Sequence, residues 1–365
     1  MGLTSSALLL SVVLCTALTF AATVWLWPRL ARGSRSRVAG RAGLLVLVQV
    51  FLFASVALAA NRSLLIYGSW ADLAGRARQE AVRPGVAVEV LGRQAPGVPG
   101  GGNPLVSGVI EKVNLHGERS GRAAQAYVYL PPEYFQKGNE QRKFPAAVVL
   151  TGYPGTAENL LKGLRYPKTA WTLAKEKKAP PMILVMMRPT VSAENTQCVD
   201  VRGGGPQSET FFGTDLTKAV SSSYRIGGSA RNWGIIGDST GGYCALKMTV
   251  QHPETYAAGV GLSADYKPEV DQYSGDLFHG DKDEEKRSDL LWHLANRPQG
   301  ASSFLVTTSL QGEENYKPTQ QFIKAVKDPA RVSSITLDRG GHSFNTWNRE
   351  IPPALEWIGG RLGAE

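Results

Sequence analysis

Acidic residues are missing from the first 71 positions of this 365-residue chain, and histidine and cysteine are scarce throughout, at five and three. Each shortage narrows the possibilities. A formal charge of +9 raises nucleic acid or an acidic surface as a partner. Six of the nine charges, however, are Arg29, Arg32, Arg35, Arg37, Arg41 and Arg62 in the acid-free stretch, which leaves 9 − 6 = 3 for the rest of the chain. No Lys/Arg-rich, aromatic-interleaved face occurs elsewhere, so nucleic-acid binding is not expected. No H-x-x-x-H or paired C-x-x-C spacing occurs either, so neither a metal nor another cofactor is expected. Cys15 falls inside an apolar run. The other two cysteines, Cys198 and Cys244, are read either as a disulfide formed in an oxidising compartment or as two separate buried thiols, because sequence does not show whether their Cα atoms lie within reach.

The acid-free stretch is instead patterned as membrane topology. Leu3 to Trp27 is uncharged and strongly apolar, ends in two interfacial tryptophans, Trp25 and Trp27, and is stopped by Pro28 and Arg29. A second uncharged run covers Ala42 to Ala60, about 19 residues against the ~20 that a ~30 Å hydrocarbon layer requires. Between them lies "RLARGSRSRVAGR", with five arginines. The positive-inside rule assigns that loop to the cytoplasm and everything after residue 61 to the outside. A cleaved signal peptide fits less well, since no basic segment precedes the first run and arginines follow it where a small-residue cleavage site would lie. The expectation is a cell-membrane protein with two spans, at about 3–27 and 42–60. A stalk over 62–105 follows, where "QAPGVPGGGNP" cannot hold regular structure, and then an extracytoplasmic catalytic domain over 106–365.

That domain has ordinary globular composition and enough apolar residues for a sizeable core. "GVIEKVNL" and "QAYVYL" alternate as an antiparallel pair does, while "PAAVVLTG", "PMILVMMRP", "NWGIIG", "AAGVGLSA" and "SSFLVTTS" are continuous apolar runs typical of buried parallel strands, followed by "RVSSITLD". Helical patterns fall between and after them, near Glu158–Leu164, Thr169–Lys177, Leu216–Tyr224, Gly241–Gln251, Lys317–Val326 and Arg349–Leu362. The expected fold is α/β, a mainly parallel doubly wound sheet with its chemistry at the carboxyl ends of the strands.

"NWGIIGDSTGGYCALKMTV" carries the chemistry. Ser239 follows an apolar strand and precedes a helix, with Gly237 and Gly241 two residues to either side, the context of a G-x-S-x-G nucleophile elbow. A serine hydroxyl needs a base, and in the chain order serine, acid, histidine that base is His342, in the Gly-rich loop "DRGGHSFNTW" after the last strand. His116 precedes the elbow, His252 caps its helix, and His279 and His293 lie in a polar excursion read as solvated surface or a lid. The acid is read as Glu313 in "SLQGEENY", with Glu314 the alternative and Asp265 a fallback. Oxyanion donors are the amides of Thr240, at the helix N-terminus, and Tyr153, in "LTGYPG".

These residues resemble the esterase family that includes esterase D and the mycolyltransferases of the antigen 85 complex. The resemblance rests on "AYVYLPPEY", "VVLTGYPG", "WGIIGDSTGGYCALKM" and "LDRGGHSFNTW", and covers about residues 107–362. It implies an α/β-hydrolase fold and a triad carried onto Ser239, Glu313 or Glu314, and His342. The expected activity is hydrolysis of a small-molecule or lipid carboxylic ester through an acyl-enzyme. Two alternatives stand beside it: an acyltransferase serving a cell-envelope alcohol, and a catalytically silent domain that only binds.

Overall fold

Alternation within the central strands sets up the catalytic unit of the computed structural model, which describes residues 2–31, 34–64, 67, 70–73, 82–83, 85–269 and 274–363. β4 (Ala146–Leu150), β5 (Ile183–Met187), β6 (Trp233–Asp238) and β7 (Ala258–Leu262) are buried at every residue. Successive side chains point to opposite faces. Ala147, Val149, Leu184 and Met186 therefore join Leu160, Tyr166, Leu173, Ile351 and Leu355 in one apolar layer. Ala146, Val148, Ile183 and Val185 join Phe211, Leu216, Val220, Cys244 and Met248 in the other. Continuous apolar runs are what a sheet covered by helices on both faces demands.

The sheet has nine strands in the order β1-β2-β3-β5-β4-β6-β7-β8-β9. Besides the four above, these are β1 (Val88–Gln94), β2 (Val109–His116), β3 (Ala123–Leu130), β8 (Ser303–Ser309) and β9 (Arg331–Leu337). The pairs from β1 to β5 across β2 and β3 are antiparallel, and all pairs from β5 across to β9 are parallel. The expected helices form within a few residues of their predicted ends: Ala157–Lys162, Tyr166–Lys175, Leu216–Ser223, Thr240–Gln251, Tyr316–Ala325 and Phe344–Gly359.

Two stretches depart from the sequence reading. β1 lies within the segment expected to be stalk, and it pairs with β2 from Val88↔Leu115 to Gln94↔Ile110. Its "VEVLGRQ" becomes a strand because β2 offers a free edge, a non-local partner that local pattern does not reveal. The Pro/Gly-rich "QAPGVPGGGNP" then connects β1 to β2 rather than tethering a domain. The arginine loop is also shorter than expected. The second N-terminal helix runs from Arg35 to Leu64, so Arg35, Arg37 and Arg41 stand on its first turns.

The chain divides into two compact units, 1–77 and 78–365. The first contains the helices Ser6–Leu26 and Arg35–Leu64. Within it the two helices pair, with Thr16 Oγ1 and Ser55 Oγ 3.0 Å apart and Arg62 Nη1 donating to Ser6 Oγ at 2.6 Å. Both helices are long and apolar enough to cross a membrane.

Candidate active site

Ser239 ends β6 and begins the helix Thr240–Gln251 with φ 54° and ψ −125°. A non-glycine residue in that region carries about 1–3 kcal/mol of strain, which only a well-braced turn sustains. The bracing is visible. Ser239 N–H donates to Leu262 O at 3.0 Å, and Tyr243 N–H donates to Ser239 O at 2.9 Å. The flanking glycines are required by space: a Cβ on Gly237 would lie 2.3 Å from the Gly241 carbonyl, and one on Gly241 would lie 2.4 Å from Leu150 O.

His342 stands in the loop after β9, tied to the loop after β8 by Gly340 N–H donating to Gln311 O at 3.0 Å. That tie puts its Nδ1 3.6 Å from Glu313 Oε2. The Glu313 carboxylate is 3% exposed, and its other oxygen accepts from Ser263 Oγ at 2.7 Å. Ser263 Oγ in turn accepts from Trp347 Nε1 at 3.0 Å, and the Trp347 ring meets the imidazole edge-on at 5.1 Å. Histidine and acid are thus held from two sides. Glu313 keeps the imidazole's pKa above its ordinary value against the opposing effect of burial, with Asp265 and Asp238 adding their charge. Glu314 is exposed on the neighbouring position. Asp265 is half-buried, and burial, with the charge of Glu269 beside it, raises its carboxyl to about 6.

The loop bearing Tyr153 comes up against the serine. A Cβ built on Gly152 would be 3.1 Å from Ser239 Cβ, and Gly152 N–H donates to Asp238 Oδ2 at 2.9 Å. Tyr153 itself donates its hydroxyl to Ala193 O at 3.0 Å. Thr240 is the first residue of the elbow helix, where unpaired amides and the helix dipole favour a developing negative charge.

The remaining histidines lie elsewhere in the structure. His116 is buried with Glu89 3.8 Å away, His252 lies between Glu209 and Glu254, His293 Nδ1 donates to Arg287 O at 3.3 Å, and His279 is exposed. The polar excursion forms two helices, Lys282–Ser288 and Leu290–Asn296, with Leu290 and Leu294 packed into the core. Among the described residues no group of His, Cys, Asp and Glu is arranged to hold a metal ion.

Of the two readings of Cys198 and Cys244 the structure shows the disulfide, and beside it lies a buried charge cluster that sequence reasoning missed. A disulfide joins Cys198 to Cys244 on the elbow helix, Cα to Cα 5.6 Å. One turn further on, Lys247 is fully buried. Its Nζ donates to Cys198 O at 2.7 Å and lies 3.0 Å from Glu209 Oε2. Glu209 also receives both terminal nitrogens of Arg287, at 2.8 and 2.9 Å. Burial alone would raise the Glu209 carboxyl, but Lys247, His252 and Arg287 hold it well below the usual carboxylate range. A lysine on an otherwise uncharged helix was the one sequence signal for this cluster.

A strained serine between strand and helix, beside a mainly parallel sheet with a histidine and acid at its carboxyl edge, defines an α/β-hydrolase. A family model described as "Putative esterase" matches residues 117–358, most of the chain, and the chain belongs to that esterase family. An uncharacterized protein of Corynebacterium glutamicum is 26% identical over 264 residues, which cover 67% of this chain and 58% of that relative. The chain therefore spans little more than half the length of the curated relative it matches. Among solved structures, an S-formylglutathione hydrolase from Agrobacterium tumefaciens matches with TM-score 0.57 at 17% identity, over 70% of this chain and 96% of that one. A ferulic acid esterase matches with TM-score 0.58 at 18% identity, over 70% and 98%. At these identities the likeness is one of fold.

Proposed function

We propose that this chain is a membrane-anchored, extracytoplasmic serine esterase that hydrolyses small-molecule or lipid carboxylic esters through an acyl-enzyme. The observation that carries the reading is the Glu313–His342 pair, 3.6 Å apart, on a chain of the esterase family that also holds Ser239 on a strained turn. In this mechanism His342 takes the Ser239 proton as Oγ attacks the ester carbonyl. Glu313 stabilises the imidazolium, and the amides of Tyr153 and Thr240 receive the oxyanion. The imidazolium then protonates the departing alkoxide, leaving the acyl group on Ser239. Water, deprotonated by the same imidazole, attacks the acyl-enzyme and releases the acid.

The anchoring part of the reading is supported by two helices of spanning length and by the arginines between the two apolar runs. At ~1.5 Å per residue, 21 residues of Ser6–Leu26 reach about 31 Å, enough for a ~30 Å hydrocarbon layer. The Cys198–Cys244 disulfide favours an oxidising location for the catalytic unit.

The test is a serine-directed fluorophosphonate probe applied to membranes carrying the full chain. Labelling of wild type that disappears in Ser239→Ala supports the reading, and a folded wild type that does not label overturns it. Product analysis with an ester donor, with and without an added alcohol, then separates hydrolysis from transfer. Acid as the sole acyl product supports the esterase, and a transferred ester replaces it with an acyltransferase.

A further inference from the structure

We infer that Asp238 is a positioning residue that clamps the oxyanion loop to the nucleophile elbow. This rests on the serine-hydrolase reading above and adds a residue to it. Asp238 precedes Ser239 at the end of β6 and is 1% exposed. Its Oδ2 accepts the Gly152 N–H at 2.9 Å, a bond across 86 residues of chain between the loop after β4 and the turn that carries the serine.

The bond lies at the closest approach of the two loops. An ideal Cβ on Gly152 would meet Ser239 Cβ at 3.1 Å, Asp238 Oδ2 at 3.2 Å and Asp238 O at 3.4 Å. Gly152 immediately precedes Tyr153, so the bond fixes the peptide plane next to the amide proposed to receive the oxyanion. Thr240, the other proposed donor, follows Ser239. One side chain thus sets the spacing between the two donors, and a displaced donor loses much of its effect on a developing oxyanion.

A carboxylate is an expensive choice for a packing position. Oδ1 has no hydrogen-bond partner among the described residues. Burial raises the group to about 7 despite the Gly152 bond and the nearby charge of His342, which both lower it. Tyr166, fully buried, faces the same acid closely enough for Asp238 to raise its phenol further above the ordinary range, after burial itself. An apolar residue would fill this space without those penalties. What it would lack is the acceptor for Gly152.

The variants that test this are Asp238→Ala, which removes the acceptor, and Asp238→Asn, which keeps a carbonyl oxygen in its place. Both are compared with wild type and Ser239→Ala in the full chain, with ester-hydrolysis kinetics, fluorophosphonate labelling rate and melting temperature. Asp238→Ala is expected to lower kcat about tenfold or more, with KM changed less than about threefold, and to slow labelling in parallel. Asp238→Asn is expected to keep kcat within about threefold of wild type, a rescue that a role in packing charge would not give. Equal losses in both variants, or an Asp238→Ala enzyme with wild-type kcat, overturn the clamp. Should Asp238→Ala not fold, Asp238→Asn decides alone: kcat within threefold supports the clamp, and a tenfold loss overturns it. Wild type that does not label, or Ser239→Ala that does, defeats the serine-hydrolase reading itself and is seen before any Asp238 variant is compared.

Discussion

Glu313 Oε2 lies 3.6 Å from His342 Nδ1, while the adjacent Glu314 is exposed. Two carboxylates that are equivalent neighbours in the chain thus have unequal environments. Replacing them singly with glutamine is expected to lower kcat about 10²–10⁴-fold at Glu313, by analogy with loss of a triad acid. The same change at Glu314 is expected to leave kcat within about twofold. Steady-state kinetics on a chromogenic ester checks both.

The same pair sets a pH dependence. Glu313 first, then Asp265 and Asp238, stabilise the imidazolium, so the His342 pKa lies above its ordinary value of 6.5. The base must be neutral to take the serine proton, so kcat/KM is expected to rise with pH through a value above 6.5. In Glu313→Gln the limb is expected to move to lower pH. A rate profile from pH 5 to 9 measures the shift, and an unmoved limb would argue that Glu313 does not face the working imidazole.

Glu350, on the terminal helix, is fully buried, and burial followed by the charge of Glu313 raises its carboxyl from 4.5 to about 7. The folded pKa is above the unfolded one, so ionisation is harder in the folded state. The group's contribution is intact below about pH 4.5 and is lost as pH rises towards 7, by up to about 3 kcal/mol. Glu350→Gln removes that loss. Relative to wild type, the variant is expected to gain melting temperature at pH 8 compared with pH 4.5.

Cys198 and Cys244 close a loop with a sequence separation of 46. Chain entropy gives such a closure about 4 kcal/mol, with measured values for native bridges of about 2–5 kcal/mol. Replacing both cysteines with serine is expected to lower the melting temperature accordingly, and reductant is expected to do the same to wild type but not to the double variant.

Arg29, Arg35, Arg37 and Arg41 lie between the two apolar runs of the N-terminal unit. A reporter that is active only outside the cytoplasm, fused after residue 105, is expected to be active. Replacing these arginines with neutral residues is expected to weaken that bias. A reporter active only inside the cytoplasm would reverse the assigned topology.

The legible part of this protein was local. Apolar runs such as "AAVVL" and "ILVMM" read as buried parallel strands because every residue must be apolar when both faces are covered, and the structure buries every one. Gly237 and Gly241 read as an elbow because the turn leaves no room for side chains. β1 was not legible, since "VEVLGRQ" is a strand only through its pairing with β2. Lys247 was equally hidden, because its partners Cys198 and Glu209 come from another part of the chain.

By itself, then, the sequence determined the eight strands from β2 to β9, most of the helices around them, the serine turn and two runs long enough to span a membrane, because each depends on periodicity or sterics within a few residues. Tertiary structure alone decided which of two adjacent glutamates meets His342, that Cys198 reaches Cys244, and that Asp238 receives the Gly152 amide. Each of those depends on where the sheet brings distant loops together, and hydrogen bonds and disulfides act only over distances of a few ångströms.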